Sequence, residues 1–418
     1  MYVKAFVKVN TMNTLGENVK ESFLRSDFCG NLITLPDDKV TFQSTLWRIA
    51  HCSGDPASQP GKGWNDPMNS KERVLAVYRG MEPDRIPTDL QGLTVARENL
   101  GYSPIETMAD PQKLSDVLIS SWEMVRPDMI TFGILSLPMA MAAGNECDIN
   151  EEGMLYTKRF VLEDKSALAK LAIPDPHENL PLPSLLTVCR RLDSTLGSDA
   201  AVRGIASLPW TVAVQMRGME KLIFDTMDDP AFVHGVMRFC TEYTKVVGTA
   251  VIEAMGKPSV GLYTSDPSAG CSVISPKIYT EFVKPYHEEI VTFFHEKNTR
   301  MTFHICGYID PIMEMVQSVG IDGISIDEQS SLEKMLEVSK RKTVVIGNVS
   351  PALFAAGTEK DIEDAVIECL KTAEKYKNYI LGSGCAVPPQ TPLKNLQAFM
   401  SAALKYGRTG RPPYRNSG

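Results

Sequence analysis

A chain of 418 residues, 43% hydrophobic and 22% charged, has material for one large domain or two or three ordinary ones, with ample core. A net charge of −8, with no basic tract interleaved with aromatics, argues against a nucleic-acid-binding class. No apolar run approaches the ~18–20 residues needed to span a bilayer, and the N-terminus lacks the basic, apolar, small-residue order of a secretion signal. No membrane partner and a cytoplasmic location are therefore expected.

Residues 1–68 read as an N-terminal extension packing on the main body. It ends in a Gly/Pro/Ser-rich stretch, Ser53-Gly54-Asp55-Pro56-Ala57-Ser58-Gln59-Pro60-Gly61-Lys62-Gly63, that reads as an exposed loop. At Asn69-Ser70-Lys71-Glu72-Arg73 a helix start is predicted, with Ser70 as the cap and apolar periodicity through Val74, Leu75 and Tyr78. Short apolar runs then follow that read as strands. They are Ile86–Leu90, Met129–Phe132, Ala201–Gly204, Val260–Thr264, Met301–Ile305, Gly323–Ile326, Val344–Gly347 and Tyr379–Gly382. Helical patterns lie between them, as at Pro276–Lys297 and Lys360–Tyr376. The second puts Ile362, Ala365, Val366, Cys369, Leu370 and Ala373 on one face.

Short strands alternating with helices imply parallel strands joined by crossovers. The predicted class is α/β: a (β/α)8 TIM barrel over residues 69–418, preceded by the extension. An open doubly wound sheet is the runner-up. It is disfavoured because Leu90-Gln91-Gly92-Leu93 follows the first strand, where a Gly-x-Gly-x-x-Gly would stand.

The nine cysteines are scattered and odd in number, unlike a disulfide framework, so most are expected to be buried and inert. Cys306 and Cys385 are the exceptions. His304-Ile305-Cys306-Gly307 ends the fifth predicted strand, and Gly384-Cys385 follows the eighth. Barrel enzymes place their chemistry at the C-terminal ends of strands, where a closed barrel brings distant loops to one mouth. One imidazole and two thiolates suit zinc, and three protein ligands leave a fourth position open for chemistry. Such a thiolate-rich zinc ionises an incoming thiol and fits alkyl transfer to sulfur better than hydrolysis. The alternatives are a zinc that only holds loops together, and three ordinary residues with no ion.

Other polar residues follow strands. Asp266 and Asp327 are the candidate functional acids at the mouth, and Asn348 a candidate substrate-binding group. Each also sits where a helix cap or an Asx turn would place it. Gly382-Ser383-Gly384 could cradle an anion, but Pro388-Pro389 argues against a phosphate loop. Tyr286-His287 and His295 lie in a helical stretch and read as surface or packing residues.

Several segments resemble the uroporphyrinogen decarboxylase superfamily. They are Phe303-His304-Ile305-Cys306-Gly307, Asp322-Gly323-Ile324-Ser325-Ile326-Asp327-Glu328, Gly347-Asn348-Val349-Ser350-Pro351 and Gly384-Cys385-Ala386-Val387-Pro388-Pro389-Gln390-Thr391-Pro392. More narrowly they resemble its zinc-dependent corrinoid methyltransferase branch, typified by methylcobamide:coenzyme M methyltransferases. Asp266-Pro267-Ser268, Ser275-Pro276-Lys277 and Lys284-Pro285-Tyr286 extend the likeness, which covers roughly residues 71–408.

The resemblance implies a (β/α)8 barrel with zinc on His304, Cys306 and Cys385. It also implies a methyl group exchanged with a corrinoid (methylcobamide) on a partner corrinoid protein. The expected function is methyl transfer between that corrinoid and a small-molecule donor or acceptor, most simply a thiol. Demethylation of a substrate onto the corrinoid, or a folate acceptor, stay open. The metal-independent decarboxylases of the superfamily carry an arginine-rich segment after the first strand; here the place reads Asp89-Leu90-Gln91-Gly92-Leu93-Thr94, which argues against decarboxylation. A third reading is a non-enzymatic corrinoid- or tetrapyrrole-binding protein. The chain has no Asp-x-His-x-x-Gly motif of corrinoid carriers, so any corrinoid should arrive on a partner. The extension is expected to cap the mouth, contact the partner or mediate a homodimer.

Overall fold

The structure is a computed structural model that describes residues 68–132, 136–149, 155–256 and 260–409. The expectations for the extension, Met68 aside, lie outside the described residues.

The first helix among the described residues, Ser70–Tyr78, is capped by Asn69, one residue earlier than predicted. The Asn69 side chain accepts from Glu72 N, and the Glu72 carboxylate accepts from Asn69 N, a reciprocal capping box. The strands are β1 (Thr88–Asp89), β2 (Met129–Ile130), β3 (Glu146–Ile149), β4 (Leu155–Arg159), β5 (Ala201–Val202), β6 (Gly204–Ser207), β7 (Leu262–Ser265), β8 (Met301–Ile305), β9 (Gly323–Ile326), β10 (Val344–Val349) and β11 (Tyr379–Ser383). All but β3 and β4 form one parallel sheet in the order β5-β2-β1-β11-β10-β9-β8-β7-β6.

Its two ends are consecutive pieces of one strand. β5 pairs with β2, β6 pairs with β7, and only Arg203 separates them. The nine segments therefore make eight staves, and the sheet returns on itself as a (β/α)8 barrel. Each of the eight predicted strands is present, with β8 and β9 at the predicted bounds. The antiparallel hairpin β3–β4 was not predicted. The predicted helix Pro276–Lys297 is helical from Pro276 to Glu296 but contains a π-type turn at Tyr279–Val283.

The N-terminal end of the barrel is closed by the helix Ser70–Tyr78. Its Val74 and Val77 pack with Met129, Ala201, Val260, Val344, Ile346 and Ile380 at or near the strand starts. Around that plug Asp128, fully buried, accepts from Arg73 Nη1 and Arg85 Nη1 at 2.6 Å each and from Thr88 N at 2.8 Å. Burial raises the Asp128 carboxyl, but the two guanidinium groups outweigh it and hold the group below its ordinary range.

The barrel interior carries a second polar chain. Arg203 Nη2 donates to Asp89 Oδ2 at 2.6 Å, and the Arg203 guanidinium lies 4.3 Å from the centre of the Tyr263 ring. The Tyr263 hydroxyl donates to Gln91 Oε1, and Gln91 Nε2 donates to Ser325 Oγ at 2.7 Å. Asp89 and Arg203, Tyr263 and Gln91, and Gln91 and Ser325 each belong to staves that are not sheet neighbours, so these side chains meet through the lumen. The chain of contacts rises from the Asp89–Arg203 pair toward the C-terminal mouth.

Candidate metal centre

His304 sits near the end of β8, opposite Ser265 of β7 and Ser325 of β9 in the ladders. Its imidazole is 2% exposed. Nδ1 lies 3.2 Å from both the carbonyl oxygen and the hydroxyl of Ser325. A carbonyl only accepts, so Nδ1 carries the proton and Nε2 presents a lone pair. Nε2 lies 3.0 Å from Cys306 Sγ and 3.6 Å from Cys385 Sγ.

Two loops support Cys306. The chain turns at Gly307, whose φ of +73° is in the left-handed region that favours glycine. The carbonyl of Cys306 packs against Gly270, where a Cβ would come within 2.3 Å of that oxygen. Gly270 belongs to the loop after β7, which Asp266 anchors. Its carboxylate accepts from Thr211 N at 2.7 Å and the Thr211 hydroxyl, and meets His287 Nε2 at 2.9 Å. The Asp266 amide donates to His304 O at 2.8 Å. Cys385 is positioned from the other side, since Gly384 N donates to Val349 O and Val387 N to Gln91 O, both at 2.8 Å.

Sequence distance is thus cancelled by barrel closure. His304, Cys306 and Cys385 form one group whose donor atoms all lie within 4.8 Å of one another. The two sulfurs are 3.6 Å apart, far beyond the ~2.05 Å of a disulfide. Zinc at about 2.3 Å from sulfur and 2.0–2.1 Å from nitrogen in a tetrahedron needs donor separations of about 3.6–3.8 Å. Two of the three observed separations meet that requirement, and the 3.0 Å Nε2–Sγ approach needs only a small opening. The donor set fits zinc by type, number and spacing.

Its electrostatics point the same way. The Cys306 thiol hydrogen bond, helped by His304, holds Cys385 low, at about 4. The same hydrogen bond, burial and the carboxylates of Asp327 and Glu328 push Cys306 up. Two thiols thus face each other beside two acids, a donor set that favours a cation. Burial, and then the hydrogen bond with Asp327, raise the Glu328 carboxyl to about 6.

The remaining candidates are placed as follows. Asp327 is buried near the thiols, and its Oδ1 accepts from Gln329 N at 3.1 Å in an Asx turn. Asp266 was expected at the mouth. The structure instead buries it fully, with its carboxylate occupied by Thr211 and His287. Asn348 was expected to bind substrate. Its Nδ2 is taken up by Asp327 O at 3.2 Å and Ser330 O at 3.0 Å, so it ties the turn after β9 to β10. His287 is a packing residue, fully buried, whereas His295 is exposed and pairs with Asp322. The sequence reading missed the service His287 gives to Asp266, and it missed Gln91, Tyr263 and Ser325 as supports of His304. Two surface clefts of about 490 and 340 Å³ lie elsewhere; neither is lined by His304, Cys306 or Cys385.

Comparison with known proteins accords with this geometry. Over 348 residues the chain is 23% identical to methylcobamide:CoM methyltransferase MtbA of Methanosarcina acetivorans, covering 80% of this chain and 98% of that one. It is 28% identical over 351 residues to a methylated-thiol–coenzyme M methyltransferase of Methanosarcina mazei, covering 80% and 89%. It is also 28% identical over 306 residues to a uroporphyrinogen decarboxylase of Prochlorococcus marinus, covering 71% and 84%. In fold it resembles the structure of a methyltransferase from Methanosarcina mazei, with a TM-score of 0.72 at 22% identity over 81% of this chain and 99% of that one. Residues 69–406 match the family described as uroporphyrinogen decarboxylase (URO-D), and the chain belongs to that family.

Proposed function

We propose that this protein is a zinc-dependent methyltransferase that exchanges a methyl group between a corrinoid carried by a partner protein and a small thiol. The observation that carries the reading is the convergence of His304 Nε2, Cys306 Sγ and Cys385 Sγ within 4.8 Å at the mouth of the barrel. The similarity of most of the chain to methylcobamide:CoM and methylated-thiol–coenzyme M methyltransferases supports it.

In this reading His304, Cys306 and Cys385 hold the zinc. When bound, the ion would ionise an incoming thiol at neutral pH, supplying a sulfur nucleophile for a methyl group. The chain's own groups prepare the site. His304 keeps its proton on Nδ1, facing Ser325, and so offers Nε2. Asp266 and His287 act as positioning residues for the loop that carries Gly270 and backs Cys306. Asp327 and Glu328 lie beside the thiols. Glu328, with its carboxyl raised to about 6, can take or hold a proton released there near neutral pH.

Decarboxylation is the weaker reading, although relatives of that name match at comparable identity. The segment Asp89–Thr94 offers no arginine for an acidic tetrapyrrole, and Gln91 within it is committed to Tyr263 and Ser325.

The test is methyl transfer from methylcobalamin to a panel of thiols and folates, with metal content measured on protein purified without chelator. About one zinc per chain and thiol-dependent loss of methylcobalamin are expected. Uroporphyrinogen turnover in the same preparation, with no methyl transfer to any acceptor, would reverse the assignment.

A further inference from the structure

We infer that Gln91 is a positioning residue for the metal centre, acting on His304 through Ser325. The inference rests on the zinc reading and concerns residues that touch neither the ion nor a substrate.

His304 has one face on Tyr263, with ring centres 6.0 Å apart and planes 20° apart, and its Nδ1 on Ser325. Both supports are held by one side chain. Gln91 Oε1 accepts from the Tyr263 hydroxyl, and Gln91 Nε2 donates to Ser325 Oγ. Gln91 thus bridges the Tyr263 phenol and the Ser325 hydroxyl, the two groups that flank His304. Ser325 Oγ accepts from Gln91 Nε2, which leaves its second lone pair for the Nδ1 proton of His304. All four residues are buried, Gln91 at 5%, Tyr263 at 4%, His304 at 2% and Ser325 at 0%, so water cannot readily replace a missing member.

Gln91 is itself fixed at the mouth. Its amide donates to Ser383 Oγ at 3.3 Å, and its carbonyl accepts from Val387 at 2.8 Å, just beyond Cys385. A single residue after β1 therefore links the β8 imidazole to the loop that carries the distant cysteine. Histidine ligands generally take their tautomer and ring orientation from the partner of the non-ligating nitrogen. Loss of such support costs about 10–100-fold in metal affinity. Tyr263 in turn rests against Arg203, paired to Asp89, so the support is anchored deep in the barrel.

The test is zinc affinity, read by competition with a chromophoric chelator, for the full chain, Gln91→Leu, Ser325→Ala and the double variant. Gln91→Leu should weaken zinc binding by about tenfold or more. If Gln91 acts through Ser325, its substitution should cost much less in the Ser325→Ala background, because a coupled pair is non-additive. Cobalt(II) absorption should shift with Gln91→Leu while the sulfur-to-metal bands persist. Nitrogen-15 shifts of His304 in the metal-free protein should show loss of a single Nδ1-protonated tautomer. Gln91→Met serves if the leucine variant does not fold. Unchanged affinity and tautomer in folded Gln91→Leu or Gln91→Met would overturn the inference, as would the same loss in both backgrounds. An unsubstituted chain that binds no zinc would instead overturn the zinc reading, leaving the tautomer measurement to decide the role of Gln91.

Discussion

At the N-terminal end of the barrel, Asp128 is buried between Arg73 and Arg85, and every contact found there lowers its energy as an anion. At the C-terminal end, Cys306 and Cys385 face each other at 3.6 Å beside Asp327 and Glu328. No lysine or arginine is paired with either thiol among the described residues. Both ends are polar and largely buried, yet at one end an acid is matched by guanidinium groups and at the other thiols and acids face one another. The first arrangement stabilises the plug formed by the helix Ser70–Tyr78. The second, in the proposed reading, is completed by a cation. In the proposed reading stability and function are separated along the barrel axis, as in barrel enzymes whose catalytic groups project from the strand ends.

Substitutions at the two ends should therefore fail differently. Cys306→Ser and His304→Ala should abolish zinc retention and methyl transfer, a larger loss than the ~10–100-fold carried by supporting residues. Their circular dichroism and melting temperature without metal should stay close to those of the parent. Asp128→Ala should do the reverse. It removes the carboxylate shared by the buried Arg85 and Arg73 guanidinium groups, Arg73 keeping Asp84, so a loss of about 3–5 kcal/mol is expected in denaturant unfolding. Zinc content per folded molecule should not change. A variant at either end that lost both properties equally would break the contrast.

Intermediate behaviour is expected where the mouth is supported by packing. His287→Leu leaves the Asp266 carboxylate without one of its partners, 2.9 Å away. It should cost about 1–3 kcal/mol and weaken zinc binding less than loss of a ligand does. Acid titration gives a subtler separation. The folded pKa of Asp128 lies below its unfolded value of about 3.8, so its stabilisation is fully present above that value. It is lost as the pH falls through the folded pKa. Asp128→Asn should remove that acid-side slope, seen as a flatter dependence of the unfolding midpoint below about pH 4. The smallest effect is expected at Lys360, exposed on a helix and paired with Asp364. Lys360→Ala should leave melting temperature, zinc content and activity unchanged within error.

The staves were legible in the sequence because parallel strands covered on both sides are written as short, largely apolar runs, as in Val344–Ile346 and Tyr379–Leu381. The hairpin of β3 and β4 was not, because Glu146–Ile149 and Leu155–Arg159 are polar, half-exposed and outside that rhythm. The grouping of His304, Cys306 and Cys385 could be read because His304 and Cys306 lie together at one strand end and Cys385 follows another. Its supports could not be. Gln91, Tyr263 and Ser325 sit on three different staves, and each alone is an ordinary polar residue in or beside an apolar run. Asp266 shows the opposite failure. Its place after a strand marked it for the mouth, but His287, on the helix Lys284–Glu296, and Thr211, after β6, turn its carboxylate inward.

The most direct measurement is metal analysis joined to activity on protein prepared without chelator, before and after removal of the metal. The zinc account predicts about one zinc per chain, bound in the parent and lost from Cys385→Ala. Thiol-dependent demethylation of methylcobalamin should disappear with the metal and return when zinc is restored. Metal-free protein that still transfers the methyl group at the parental rate would contradict it.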